Sequence, residues 1–301
     1  MSQKCSVSLV LGAGGARGLT HIGVIQWLVE NQFEIKSISG SSMGALVGGI
    51  YASGKLDVYT QWVCALERID ILKLLDFSFS RASLFKGSRI ISVLRELIGD
   101  RKIEDLDIAF TAVAADLESG KEVWLNRGSL FDAIHASIAI PTIFAPFEYQ
   151  GKKLIDGSLV NPIPIAPTLN DSTDITVAVN LSGRTKITHT IDRDAIEQNQ
   201  NAQSYQNRIH QFIESLQKKR PEKKDNDALG FFDIISQSIE IMQNTMARFR
   251  LAGYRPDFVI DIPSNICAFY EFHRAKELIG YGHKKADAIL KERMNHQFGG
   301  K

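Results

Sequence analysis

The run SVSLVL, from Ser6 to Leu11, empties into four glycines within seven positions, GAGGARG, from Gly12 to Gly18. An apolar run this short, closed by glycines, reads as a buried strand, and the stretch from His21 to Glu30 behind it reads as a helix. A second unit of the same kind follows at once. A short strand near Lys36 to Ser39 runs into GSSMG, and Ala45 to Ala52 continues as a helix of small residues that can lie close to a sheet. Ile108 to Ala115 and Glu122 to Leu125 read as further strands, Leu130 to Ser137 as a helix, and Ile175 to Asn180 and Phe258 to Ile262 as late strands. Strands alternating with helical periods predict an α/β fold around a mostly parallel sheet.

The expected organisation is one domain over residues 1–301, with the motifs confined to a core of 6–180. A polar, Asn- and Gln-rich insertion spans 182–227, and C-terminal helices over 228–301 complete the fold. The insertion carries KKRPEKK, Lys218 to Lys224, which reads as a solvated turn. Beyond it Phe231, Ile235, Ile239, Met242, Met246 and Phe249 recur at helical steps, a stripe expected to pack on the core in preference to facing lipid. Phe272 to Glu292 reads as a last helix.

Composition narrows the function classes. Thirty-five basic against thirty-four acidic side chains leave a net charge of +1, so no overall field draws in nucleic acid, and any membrane contact has to be local. Cys5, Cys64 and Cys267 are scattered and odd in number, which argues against a disulfide framework and against a zinc site; no metal and no cofactor is expected. Only Lys4 precedes the first apolar run and Arg17 follows it closely, a poor export signal. No apolar stretch approaches the ~20 residues of a bilayer span. The expected location is the cytoplasm, with transient peripheral contact with a membrane.

GAGGARG invites a dinucleotide reading, but a GxGxxG frame starting at Gly12 and Gly14 places Arg17 where close helix packing needs glycine. A Walker loop fails for want of GK[ST]. What remains is a set of backbone N–H groups at a helix start, the arrangement of an anion or oxyanion hole, or simple chain geometry. Gly40, Ser42 and Gly44 then match GxSxG between a strand and a helix, the context in which a sharp turn lifts a serine hydroxyl above the sheet. Ser41 sits one place too early for that frame. The seven histidines are poorly spaced for a triad and read as surface or packing residues. Asp156, in LIDGSLVNPIP, offers another base, though an aspartate at such a turn also serves as a cap.

Taken in order, GAGGARG, GSSMG, ASIAIPTIFAP (Ala136 to Pro146) and DGS (Asp156 to Ser158), with SLFKG (Ser83 to Gly87), resemble the patatin-like phospholipase family, including bacterial members related to the catalytic domain of neuropathy target esterase. The resemblance covers about residues 6–180. It implies a three-layer α/β/α fold and hydrolysis of acyl esters in lipids or lysolipids through an acyl-serine. It carries Ser42 to the nucleophile, Asp156 to the general base, and Gly14 and Gly15 to the oxyanion hole. DGS departs from the DGG or DGA frequent in the family, and the Ser158 hydroxyl is placed to add a hydrogen bond to Asp156.

Arg17 suits two roles equally, orienting a substrate phosphate or bonding to loop carbonyls. Acyl transfer to an acceptor other than water, and a catalytically silent scaffold, are the competing readings. Nothing in the sequence selects a headgroup, an acyl length or an oligomeric state.

Overall fold

A computed structural model describes residues 4–74, 83–85, 88–183 and 226–291. The first half of the chain forms β1 (Ser6–Leu11), α1 (Thr20–Glu30), β2 (Glu34–Ser41), α2 (Met43–Ala52), α3 (Leu56–Ala65), α4 (Arg68–Leu74), β3 (Ser83–Phe85), α5 (Ser88–Ile98) and β4 (Ala109–Asp116). It continues through β5 (Glu122–Leu125), α6 (Leu130–Ser137), β6 (Thr142–Phe144), β7 (Phe147–Tyr149), β8 (Lys152–Asp156) and β9 (Ile175–Gly183). It ends with α7 (Asn226–Tyr254), β10 (Phe258–Pro263) and α8 (Ala275–Ala286). The chain divides into two compact units, Met1–Arg184 with Ile239–Lys301, and Thr185–Ser238. Most of the polar segment expected at 182–227, KKRPEKK included, lies outside the described residues, as do His189, His210 and His296.

In the larger unit, β10, β9, β1, β2 and β4 lie side by side and parallel, and β5, β7 and β8 add antiparallel pairs at the β4 end, giving eight strands in all. Strand alternation sends Val7, Leu9 and Leu11 to one face, into a large core with α1, α2, α6 and α8, while Val10 points to the other. There it meets Ala178, Ile163, Ile165 and Ala247 of α7 in a second, smaller core. Helices therefore cover both faces of a mostly parallel sheet, the three-layer α/β/α architecture expected.

Two features differ from expectation. The α7 stripe packs only in part: Ile239 and Met246 are half-buried, but Met242 is 53% and Phe249 74% exposed, and the buried residue that meets the sheet is Ala247, flanked by Leu251 and Tyr254. The second core holds few buried residues, and on α7 the small Ala247 supplies the one that joins it. The side chains of Phe231 and Ile235 lie outside the described residues. The last helix is shorter than 272–292, because Asp287–Lys291 leaves α8 as a π turn.

The strand β4 organises the rest. Its Ala112 and Val113 pair with Gly40 and Ser41 of β2 on one edge and with β5 on the other. Its Ala114 and Ala115 pair with β5 and with Asp156 and Ile155 of β8. Since β5 keeps its edge throughout, β8 takes over the edge that β2 leaves. The C-terminal ends of β2 and β8 thus meet head to head along β4, at consecutive residues Val113 and Ala114.

Candidate active site

The chain turns sharply where β2 ends. Ser42 holds φ +54° and ψ −123°, a backbone conformation that is costly for a residue with a side chain and is found where the surrounding structure enforces it. The enforcement is visible at Gly44: a Cβ there would run into the Leu11 carbonyl of β1, and one at Gly40 would strike Gly44 itself. Both expected elbow glycines are therefore sites of close backbone approach. Ser42 is 3% exposed and stands at the start of α2, where the helix dipole favours developing negative charge. Ser41 is wholly buried.

Asp156 comes to this point along β8. Its N–H donates to the Ala139 carbonyl (2.9 Å), and its Oδ1 accepts from the Ser158 N–H (2.8 Å). Burial pushes its carboxyl up to about 6, against the Ser42 and Ser158 hydroxyls and the Ser158 N–H, which pull it down. Those hydroxyls act on the carboxylate from nearby without a close, aligned hydrogen bond, for Oδ2 is buried and has no partner. The Ser158 hydroxyl also accepts from Gln243 Nε2 of α7 (2.7 Å). The fold thus brings Ser42 and Asp156 together, with one carboxylate oxygen fixed and the other open.

The glycine loop lies beside them because β1 and β2 are neighbours. Its N–H groups divide cleanly. Gly12 donates to Val179 (3.0 Å), Ala13 to Pro162 (2.9 Å), Ala16 to Phe269 (2.8 Å) and Arg17 to Gly14 (3.2 Å), all backbone carbonyls. Among the described residues no acceptor meets the N–H of Gly14 or Gly15. Gly15 sits at φ +55°, with the Phe269 ring where a Cβ would stand. The bond to Pro162 also ties the segment after Asp156 to the loop.

Arg17 is buried, and its guanidinium is engaged: Nε donates to the Gly14 carbonyl (3.2 Å), and Nη1 to the Ser264 carbonyl (2.5 Å) and Glu240 (2.6 Å). Of its two expected roles this geometry matches the bracing of the loop. His21 braces it from below, fully buried with Nε2 against the Gly12 carbonyl (2.8 Å), and burial lowers its pKa to about 4. Among the described residues no histidine hydrogen-bonds to Ser42; His135 packs against the Phe147 ring.

Two contributors stand outside the sequence expectations. Gln243 reaches Ser158 from a helix far along the chain, and no local pattern marks it. Ser137 is different, because it lies in the block ASIAIPTIFAP: its hydroxyl accepts from the Ser42 N–H (3.0 Å) and donates to the Val113 carbonyl (2.6 Å). The N–H of the serine itself is thereby occupied. A polar cleft of about 570 Å³, lined by Lys4, Lys36, Asp171 and Asp174 among others, opens at the N-terminal ends of β1 and β2, the opposite edge of the sheet from Ser42.

The chain is similar to several known proteins. An NTE family protein of Mycobacterium tuberculosis (strain ATCC 25618 / H37Rv) is 37% identical, over 96% of this chain and 92% of its own. Patatin-like phospholipase domain-containing protein 7 of Mus musculus is 27% identical over 64% of this chain and 15% of its own. Among solved structures, VipD from Legionella pneumophila is similar at a TM-score of 0.42 and 12% identity, over 96% of this chain and 67% of that one. Residues 9–169 match the family described as Patatin-like phospholipase, a span holding the glycine loop, the GSSMG turn and Asp156. The chain belongs to the patatin-like phospholipase family, whose chemistry is lipid acyl hydrolysis.

Proposed function

We propose that this chain is a phospholipase A or lysophospholipase-type esterase working through a Ser42–Asp156 dyad and an acyl-serine intermediate. The observation that carries the reading is the meeting of a strained, nearly buried serine with a buried carboxylate whose Oδ2 lacks a partner. Asp156 takes the Ser42 proton on Oδ2 as Oγ attacks the ester carbonyl. The contact between them tightens as the acyl group arrives. The carbonyl oxygen becomes an anion held by the Gly14 and Gly15 N–H groups.

Collapse of the tetrahedral intermediate breaks the ester bond, and the proton on Asp156 passes to the departing alcohol. Water then attacks the acyl-serine as Asp156 accepts a proton from it; the bond to Ser42 Oγ breaks, Asp156 passes that proton to Oγ, and the fatty acid leaves. Dryness has two effects. It raises the basicity of Asp156 above that of an exposed carboxylate, and it strengthens the oxyanion donors.

The substrate is a lipid or lysolipid ester, met by transient contact with a membrane or micelle surface. Among the described residues no helix is long and apolar enough to cross a membrane. The test is release of fatty acid from phospholipid and lysophospholipid vesicles by the wild type and by Ser42→Ala. The reading expects release that the alanine variant abolishes. Equal release by both, or acyl groups recovered on an acceptor other than water, would overturn it.

A further inference from the structure

Both members of the dyad hang from one short stretch of chain. Ser137, at the last turn of α6, is fully buried, and its hydroxyl links the first N–H beyond the end of β2, that of Ser42, to the Val113 carbonyl of β4. Two residues on, the Ala139 carbonyl takes the Asp156 N–H at the end of β8. Val113 is also where the two strands change places on the edge of β4, and Gly157, next to Asp156, lies so close that a Cβ would collide with the Val113 carbonyl. A single hydroxyl therefore stands at the seam between nucleophile and base.

We propose that Ser137 is a positioning residue for the reaction: its hydroxyl fixes the Ser42 backbone in the elbow and, with the Ala139 carbonyl, sets the spacing between Ser42 and Asp156. Two consequences follow from its bonds. The Ser42 N–H is satisfied inside the protein and is not offered to the substrate, which leaves the oxyanion to other backbone donors, those of the glycine loop among them. The strained φ of Ser42 is held from the amide side, because relaxing it would leave the buried N–H and the Val113 carbonyl without partners.

The role deepens the dyad reading in what it expects of catalysis and stands apart from it in what it expects of the backbone. Ser137→Ala and Ser137→Thr are therefore compared with wild type in two assays. Amide hydrogen exchange at Ser42 reads the backbone: Ser137→Ala should speed it by at least about tenfold, leaving the amides of β1 unchanged, and Ser137→Thr should restore protection. Turnover of a soluble nitrophenyl ester reads the chemistry. Ser137→Ala should lose on the order of 10²-fold in kcat at little-changed KM, since the reacting atoms are misplaced while the acyl site is intact.

If the alanine variant does not fold, Ser137→Cys, whose thiol is a weak hydrogen-bonding group of similar shape, takes its place in both assays. Unchanged Ser42 exchange, or faster exchange with unchanged kcat, overturns the proposal. A wild type that turns over no ester overturns the dyad instead, and the exchange measurement still decides what Ser137 holds.

Discussion

Asp156→Asn should make the protein more stable at neutral pH while stopping its chemistry. The carboxyl titrates near 6 in the folded chain against its ordinary 3.8, because it is buried at 1% exposure. The folded state therefore holds the Asp156 proton more tightly than the unfolded state does. Stability falls as pH rises through that window and stays low above it. A shift of about two units corresponds to roughly 3 kcal/mol of destabilisation by the ionised form at pH 8. Asparagine keeps an oxygen for the Ser158 N–H and carries no charge, so the variant should gain about 2–3 kcal/mol at pH 8 and nothing below pH 4.

His21 acts in the opposite direction. Burial lowers its pKa from 6.5 to about 4, so the stability it contributes is present above 6.5 and is lost as pH falls through 4. The wild-type pH curve is flattened by the two together, and the difference between wild type and Asp156→Asn isolates the aspartate. Urea denaturation of both proteins from pH 4 to pH 8 measures it. A variant less stable than wild type at pH 8, or a difference that does not change with pH, would refute the reasoning.

Other expectations follow from the same geometry. Because the base works ionised, kcat/KM for a soluble ester should rise tenfold per pH unit below about 6 and level off above it, as a pH–rate profile will read. Gly15→Ala puts a side chain at φ +55° and against Phe269, and should cost on the order of 10²-fold in kcat, measured by steady-state kinetics with folding checked by circular dichroism. Arg17→Ala should lower stability by about 2–4 kcal/mol in urea denaturation, since it removes bonds to two carbonyls and Glu240, and leave the ranking of headgroups in a lipid panel unchanged.

The parallel core was legible because its strands are buried on both faces and read as short apolar runs; β1, β4 and β9 fall where those runs lie. Strands of three residues, such as β3, β6 and β7, are too short to show any period. The amphipathic period of α5, with Ile91, Leu94 and Ile98 buried, is present in the sequence yet stands outside the expectations above. At the site, the GSSMG turn and the glycine loop were legible in their own residues, while Asp156, which its local turn left open as a cap, was reached through the ordered blocks that resemble the family. Ser137 and Gln243 were not legible, because their hydrogen bonds run to groups distant in sequence. The stripe on α7 misled at Met242 and Phe249 because helical periodicity identifies an apolar face and leaves open what covers it.

The most direct measurement is capture of the covalent intermediate. Wild type mixed with a nitrophenyl ester should release a burst of nitrophenol equal to the enzyme present, and rapid quenching with peptide mass mapping should place one acyl group on Ser42. Asp156→Asn should show neither burst nor adduct on the same timescale. An acyl group found on another residue, or a full burst from the asparagine variant, would contradict a reaction in which this carboxylate draws the proton from this serine.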